Sequence, residues 1–350
     1  MAVWAFEHPF LSGLVGDGEV ADMLGAEAEM VAMISFETAL ADAEAEHDVI
    51  PAVAARAIGD ALGVFKPDMA LLAASTARDG VVVPELVRQL REVAGKPYGE
   101  KLHFGATSQD VIDTALMLRL KPILEVLDRR ITAISGQLED LAERFGTKEL
   151  TGHTRMQAAF PITVSDRIAS WREPLVRHRA RLAGLRKTAL AVQFGGAAGT
   201  LEKLGDRGAS VRATLAAKLG LADAPQWHSQ RDRVADLANF LSLLTGSLGK
   251  FGQDIALLAL AGDQIRLRGG GGSSAMLHKQ NPVAAELLVT LARFNSLQLS
   301  GMHHALVHEQ ERSGSAWTLE WLVLPQMILS AGAATRIAAQ LAGNIERLGR

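Results

Sequence analysis

Five segments of this 350-residue chain are long enough, and free enough of strong breaks, to be single long helices: 108–145, 163–190, 231–266, 282–312 and 317–347. Alanine and leucine are abundant, β-branched runs are short, and Gly and Pro mark the gaps. At 1.5 Å per residue, a 35-residue helix is about 50 Å long. Five such rods on short connections predict an elongated bundle, with Pro122 the expected bend in the first. Several turns are apolar on more than one face, as at Leu237, Phe240, Leu241, Leu243, Leu244 and Leu248. A helix apolar on all sides must be covered by neighbours, so these rods are expected to bury one another across subunits. Shorter helices are predicted near 21–48, 52–63, 68–79 and 84–94. The fold class read from this pattern is all-α. An N-terminal helical domain, 1–107, precedes a central five-helix bundle, 108–350, expected to carry tetramerisation and the active site.

Composition narrows the function classes. At 48% hydrophobic the chain can bury a large core. Cysteine is absent, which removes disulfides and thiolate chemistry and suits a reducing cytoplasm. The N-terminal MAVWAFEHPFLSG lacks a basic region followed by an apolar run, so it does not read as a secretory signal. No uncharged apolar stretch reaches the roughly 18–20 residues that span a bilayer. Net charge is -3 with no basic cluster, so neither nucleic acid nor membrane is an expected partner. An anionic substrate would need a local cationic pocket.

The stretch Gly269–Glu286, GGGGSSAMLHKQNPVAAE, is the candidate for that pocket. Four glycines free the backbone for a loop able to move. Asn281-Pro282 reads as a helix start, Asn as N-cap and Pro at the first helical position. A serine loop is thereby joined to the positive end of a helix, with Lys279 between them. That arrangement suits holding an anion beside a hydroxyl that can move a proton. A plain glycine-rich linker with a Ser-Ser turn is the competing reading on composition alone.

Residue order favours the first reading. The stretch resembles the signature of the fumarase/aspartase (adenylosuccinate lyase) superfamily, Gly-Ser-Ser-x-Met-x-x-Lys-x-Asn-x-x-x-x-Glu. Gly272, Ser273, Ser274, Met276, Lys279, Asn281 and Glu286 fit, and Leu277 stands where the family usually has proline. A second segment, His103-Phe104-Gly105-Ala106-Thr107-Ser108-Gln109-Asp110, opens the first long helix. Thr107-x-x-Asp110 is in itself a capping box. Hydroxyls and free amides at a helix start can also bind carboxylates. It resembles the superfamily's His-x-Gly-x-Thr-Ser-x-Asp region, which implies that His103, Thr107 and Ser108 line the substrate site.

A third segment, Gly152–Pro161, reads as a polar turn opening the next helix. Its family counterpart commonly runs Arg-Thr-His-x-Gln-x-Ala-x-Pro. Thr154, Gln157, Ala159 and Pro161 match, while His153 replaces the Arg and Arg155 replaces the His. In amine-releasing relatives that His helps protonate the leaving group or orient catalysis. An amine needs a proton from an acid near neutral pKa, whereas a carboxylate leaves or attacks unprotonated at pH 7. The departure therefore points to a carboxylate as the group that adds or leaves.

The resemblance extends to the superfamily's muconate-cycloisomerising branch. That branch closes the tricarboxylate diene 3-carboxymuconate to 4-carboxymuconolactone, in protocatechuate-type (β-ketoadipate) aromatic catabolism. Gly195-Gly196-Ala197-Ala198-Gly199-Thr200, Gly262-Asp263-Gln264, Glu311-Arg312 with Trp317, Glu320, Trp321, Leu324 and Pro325, and 36–41 and 49–51 also fit this branch. The glycine element follows no predicted strand and matches no phosphate-binding spacing, so it is not read as a cofactor loop. Many relatives continue into a further helical domain, and this chain stops where that domain would begin, so it is expected to be missing or truncated here.

What the resemblance implies is an intramolecular addition, syn or anti, that needs no metal or organic cofactor. Ser273 is the expected proton-transfer group, helped by Lys279. His103, Thr107, Ser108, His153, Thr154, Arg155, Gln157, Ser274, Met276, Asn281 and Arg312 are expected to bind substrate, and Glu286 to give structural support. Arg155 could instead be a surface ion-pair partner, and His153 could cap a turn. Trp317 and Trp321, at i and i+4, read as core. The alternatives are an adenylosuccinate- or argininosuccinate-type lyase releasing fumarate, and a structural protein that kept the fold without activity. Retention of Ser273, Lys279 and Asn281 speaks against the last.

Overall fold

A computed structural model describes residues 4–272, 274–276 and 279–350. Six helices come before the first long rod: α1 (Ser12–Val15), α2 (Gly18–Leu24), α3 (Ala26–Glu46), α4 (Ala52–Gly63), α5 (Met69–Asp79) and α6 (Val83–Ala94). The long rods are α7 (Ser108–Phe145), α8 (Val164–Thr188), α10 (Asp232–Ala261), α11 (Val283–His304) and α12 (Gly314–Gly343), with the shorter α9 (Gly208–Leu219) between the second and third. The predicted helix over 21–48 is broken at Gly25, whose extended backbone caps both α2 and α3.

The rods pack through heptad seams. Leu120, Leu124, Leu127, Ile131, Ile134, Leu138 and Leu141 of α7 are all buried and recur at alternating steps of four and three. In α10 the same alternation runs through Val234, Leu237, Leu241, Leu244, Leu248, Phe251, Ile255 and Leu258. In α12 it runs through Trp317, Glu320, Leu324, Met327, Ala331, Ala334, Ala338 and Leu341. This repeat keeps one stripe facing the partner along the whole rod, the condition for knobs-into-holes packing. Gly249 and Gly252 let α10 and α11 approach closely, because a Cβ there would fall 2.5 Å from Ala292 Cβ and from Ala285 O. By length and composition α12 could cross a bilayer, but 67% of its most apolar window is buried among the other helices, as in a core helix.

The antiparallel rods define two ends. One end carries the starts of α7, α10 and α12; the other carries the α7–α8 connection, the α10–α11 connection and the C-terminus. α7 has 38 residues, so the ends are about 57 Å apart.

Four features depart from the sequence expectation. The segment Gly152–Pro161 does not simply turn into a helix; it belongs to an antiparallel hairpin of β1 (Glu149–Thr154) and β2 (Gln157–Thr163). α8 starts only at Val164, where Thr163 and Asp166 form the capping box. Asn281 is not an N-cap. Its backbone forms a bridge with Gly271 and its side chain donates to Gly272 O, so α11 begins after Pro282 without a side-chain cap. α10 ends at Gly262, in the left-handed conformation (φ 86°), before β3 (Ile265–Leu267). Lastly, the helix predicted over 317–347 stops at Gly343, and the residues after it form a strand. β4 (Ile345–Leu348) pairs antiparallel with β3, and the Gly349 and Arg350 amides donate to Gln264 O and Glu149 O.

Candidate active site

At the first end, the sequence around His103 is held by a buried polar network. Asp110 accepts from the Thr107 amide at 3.0 Å, the N-terminal contact predicted from the capping box. Its carboxylate also accepts from the Gly195 and Gly196 amides, both at 2.9 Å, and lies 2.8 Å from His228 Nε2. One buried carboxylate thus ties the start of α7 to the glycine element. The glycines are needed for contact: a Cβ on Gly195 would lie 2.7 Å from Gln226 Cβ, and one on Gly196, at φ 73°, 2.7 Å from Gly105 O. With two amides committed to Asp110, the element is a packing device and not a phosphate cradle.

One turn further along α7, Asp113 pairs with Arg231 (Nη1–Oδ2, 2.6 Å), which also donates from Nε to Glu320 at 2.8 Å. Trp317 Nε1 donates to Asp113 Oδ1 at 3.1 Å. Trp317 is buried core as expected, edge-on to Trp321. Burial opposes the charge on Glu320, but Arg231 and His308 hold its pKa below the ordinary carboxylate range. Arg312 sits above this network, donating from Nε to Gln109 Oε1 and from Nη2 to Ala197 O. Ser108, Arg312, Gly314, Ser315 and Trp317 line a groove of about 810 Å³. Thr107 and His103 are half-buried beside it in sequence, and His103 Nδ1 lies 2.6 Å from Glu37 Oε1.

At the other end stands the hairpin. Arg155 and Met156 form its two-residue turn, both in the left-handed region at φ 47° and 64°. Such turns favour Asn-Gly, so two bulky residues here are strained, a cost that concentrates at functional sites. His153, Thr154, Arg155 and Gln157 are all exposed at this tip. His153 Nδ1 lies 3.0 Å from Thr151 O, a local contact of the hairpin. The hairpin base is fixed by buried Gln264, whose Oε1 accepts from the Thr151 amide at 2.7 Å. The Gly262-Asp263-Gln264 segment therefore couples the third motif to the serine loop.

The serine loop begins at this same end. Gly269, Gly270, Gly271 and Asn281 line a pocket of about 380 Å³ with Arg336 and Asn344. Ser274, Met276 and Lys279 are exposed. Ser273 lies outside the described residues. Glu286 faces solvent in the first turn of α11, where a negative charge suits the helix start. No ion pair joins it to Lys279 among the described residues.

The structure thus gathers His103, Thr107, Ser108 and Arg312 at one end, and His153, Thr154, Arg155, Gln157, Ser274, Met276, Lys279 and Asn281 at the other. The anchoring roles of Asp110, His228 and Arg231 escaped the sequence, because their partners lie tens of residues away. The motif glycines were the available signal.

A family model described as lyase matches residues 20–294. A 3-carboxy-cis,cis-muconate cycloisomerase of Pseudomonas aeruginosa is 42% identical over 320 residues, covering 89% of this chain and 70% of that one. Another of Bradyrhizobium diazoefficiens is 38% identical, covering 90% and 71%. The crystal structure of the 3-carboxy-cis,cis-muconate lactonizing enzyme from Pseudomonas putida superposes with a TM-score of 0.91 at 34% identity, covering 97% of this chain and 77% of that one. The chain belongs to the lyase family of the fumarase/aspartase superfamily.

Proposed function

We propose that this protein is a cycloisomerase that converts 3-carboxy-cis,cis-muconate to 4-carboxymuconolactone. The carrying observation is the 42% identity to a cycloisomerase across 89% of the chain. The Arg155 guanidinium at the hairpin tip, where amine-releasing relatives have a histidine, agrees with it. A side chain that keeps its proton cannot serve an amine leaving group, but it can bind a carboxylate.

The reaction rearranges one substrate and takes up one proton, because three carboxylates become one lactone ester and two carboxylates. A carboxylate oxygen forms a bond to a conjugated carbon, the electron pair moves towards a second carboxyl group as an enediolate, and the adjacent carbon takes up one proton. Ser273 supplies that proton, and its alkoxide is stabilised by Lys279 and loop amides until solvent returns the proton. Lys279 and Asn281 hold the carboxyl group where charge builds, while Thr107, Ser108, Gln157 and Arg155 bind the others.

Residues about 57 Å apart cannot meet in one chain, so the complete site requires several subunits, and we propose a homotetramer with each site built from three. Exposed apolar side chains along the rods support this: Val176, Leu243, Leu260, Leu297 and Leu322, with Met156 and Phe160 on the hairpin.

The test is to incubate the purified chain with 3-carboxymuconate and follow the diene absorbance. Loss of the diene with lactone as the sole product is expected. Steady absorbance, with fumarate released from adenylosuccinate or argininosuccinate, would overturn the assignment.

A further inference from the structure

Two glutamates on one face of α3, Glu37 and Glu44, are buried at 1% and 0% exposure. They are seven residues apart, two helical turns. Among the described residues neither Glu44 carboxyl oxygen has a hydrogen-bond partner, and Glu37 Oε2 has none either. Burying such oxygens bare is costly, and natural cores seldom tolerate it without a reason. Glu37 Oε1 lies 2.6 Å from His103 Nδ1. His103 itself is in the left-handed backbone region at φ 62°, uncommon outside glycine. Its side chain is 14% exposed, so the ring is enclosed on most sides yet reaches solvent.

We propose that Glu37 is a positioning residue for the cycloisomerisation: through Nδ1 it fixes the His103 ring and keeps it cationic, so that Nε2–H donates to a carboxylate of the substrate. The inference rests on the reading of His103 as a substrate-binding residue. The groups facing the ring from the packed elements are Glu37 of α3, Asp110 of α7 and Arg91 of α6. Arg91 also donates to the Leu102 carbonyl, the residue before His103. Burial disfavours the imidazolium and Arg91 opposes it, but Glu37 with Asp110 outweighs both and raises its pKa above the ordinary histidine value. Glu44 completes the arrangement. Burial, and then the nearby Glu37, push its carboxyl up to about 9, so it stays protonated at neutral pH. Glu44 therefore adds no charge that would compete with His103 for Glu37.

The test pairs a ring titration with kinetics. In the ring-labelled wild-type protein, His103 should titrate above the free-histidine value of about 6.5. In Glu37→Gln, which keeps the shape and removes the charge, its titration should move down by about one pH unit or more. At pH 7.5 the KM for 3-carboxymuconate should then rise about tenfold with kcat little changed, the pattern of lost uniform binding. The pH at which KM begins to climb should move down with the ring titration. Glu37→Asp, which restores a carboxylate, should recover part of both effects.

An unchanged His103 titration in Glu37→Gln overturns the proposal, and so does a shifted titration with an unchanged KM profile. If Glu37→Gln does not fold, a wild-type His103 titrating at or below about 6.5 overturns it. If the wild type does not consume carboxymuconate, the functional reading fails while the ring titration still decides whether Glu37 governs His103.

Discussion

Ser273 sits in the sequence where a proton donor is needed, between a glycine run that frees the backbone and Lys279. A serine hydroxyl is a weak acid, so its loss should register in turnover and not in folding. Ser273→Ala is expected to leave the assembly intact and to reduce kcat at least about a hundredfold, the scale for a lost general acid. A folded variant with near-normal turnover would remove Ser273 from the mechanism. Arg155 makes a different prediction, because a guanidinium recognises a carboxylate through its planar fork. Arg155→Lys keeps the charge and loses the fork, so KM should rise while kcat changes little. Equal kinetics in Arg155→Ala would place it outside the site.

Glu44 allows a prediction in pH. Its folded pKa, near 9, is raised above the ordinary carboxyl value of 4.5. The stability it contributes is therefore full below about 4.5 and is lost as pH rises towards 9, because the unfolded chain then releases a proton the folded chain retains. Glu44→Gln is neutral at every pH and lacks this loss. Its urea midpoint relative to the wild type should improve steadily between about pH 5 and pH 9. A difference that stays constant over that range would show that Glu44 ionises normally in the fold.

At the scale of elements, the long rods were legible because helix-forming composition and all-round apolar turns are local properties of sequence. Leu237, Leu241, Leu244 and Leu248 announce the seam of α10 without any tertiary knowledge. The hairpin was not legible. Its turn is Arg155-Met156 instead of a glycine-bearing pair, and its second strand, exposed almost throughout, lacks alternation between a buried and a solvated face. The start of α11 misled for a related reason: Asn281 uses its backbone for Gly271 and is lost as a cap. What holds the elements in place at the first end was equally hidden. Asp113 of α7, Arg231 before α10 and Glu320 of α12 meet across more than 200 residues of sequence separation, and no local pattern encodes it. Arg231→Met should destabilise the protein by about 3–5 kcal/mol, since it leaves two buried carboxylates without their cation. Chemical denaturation would read this loss. A change under about 1 kcal/mol would mean that water replaces the guanidinium.

For the whole molecule, the separation of the two ends decides which experiment is most telling. Gln157 and the serine loop lie at the same end, so a single chain could in principle supply both. Ser108 lies at one end of rods about 57 Å long, and Gly272 and Ser274, which flank Ser273 in sequence, lie at the other. Ser108→Ala and Ser273→Ala, each impaired alone, should therefore rescue one another when mixed, unfolded and reassembled. If each site draws these residues from two different chains, random mixing in equal amounts leaves about a quarter of the sites with both serines intact. The recovered rate should approach a quarter of the wild type, far above either parent, and should vanish if the subunits are mixed without exchange. Reassembled tetramers no more active than the better parent would mean that the two ends never meet in a common site, and the shared-site assembly would have to be abandoned.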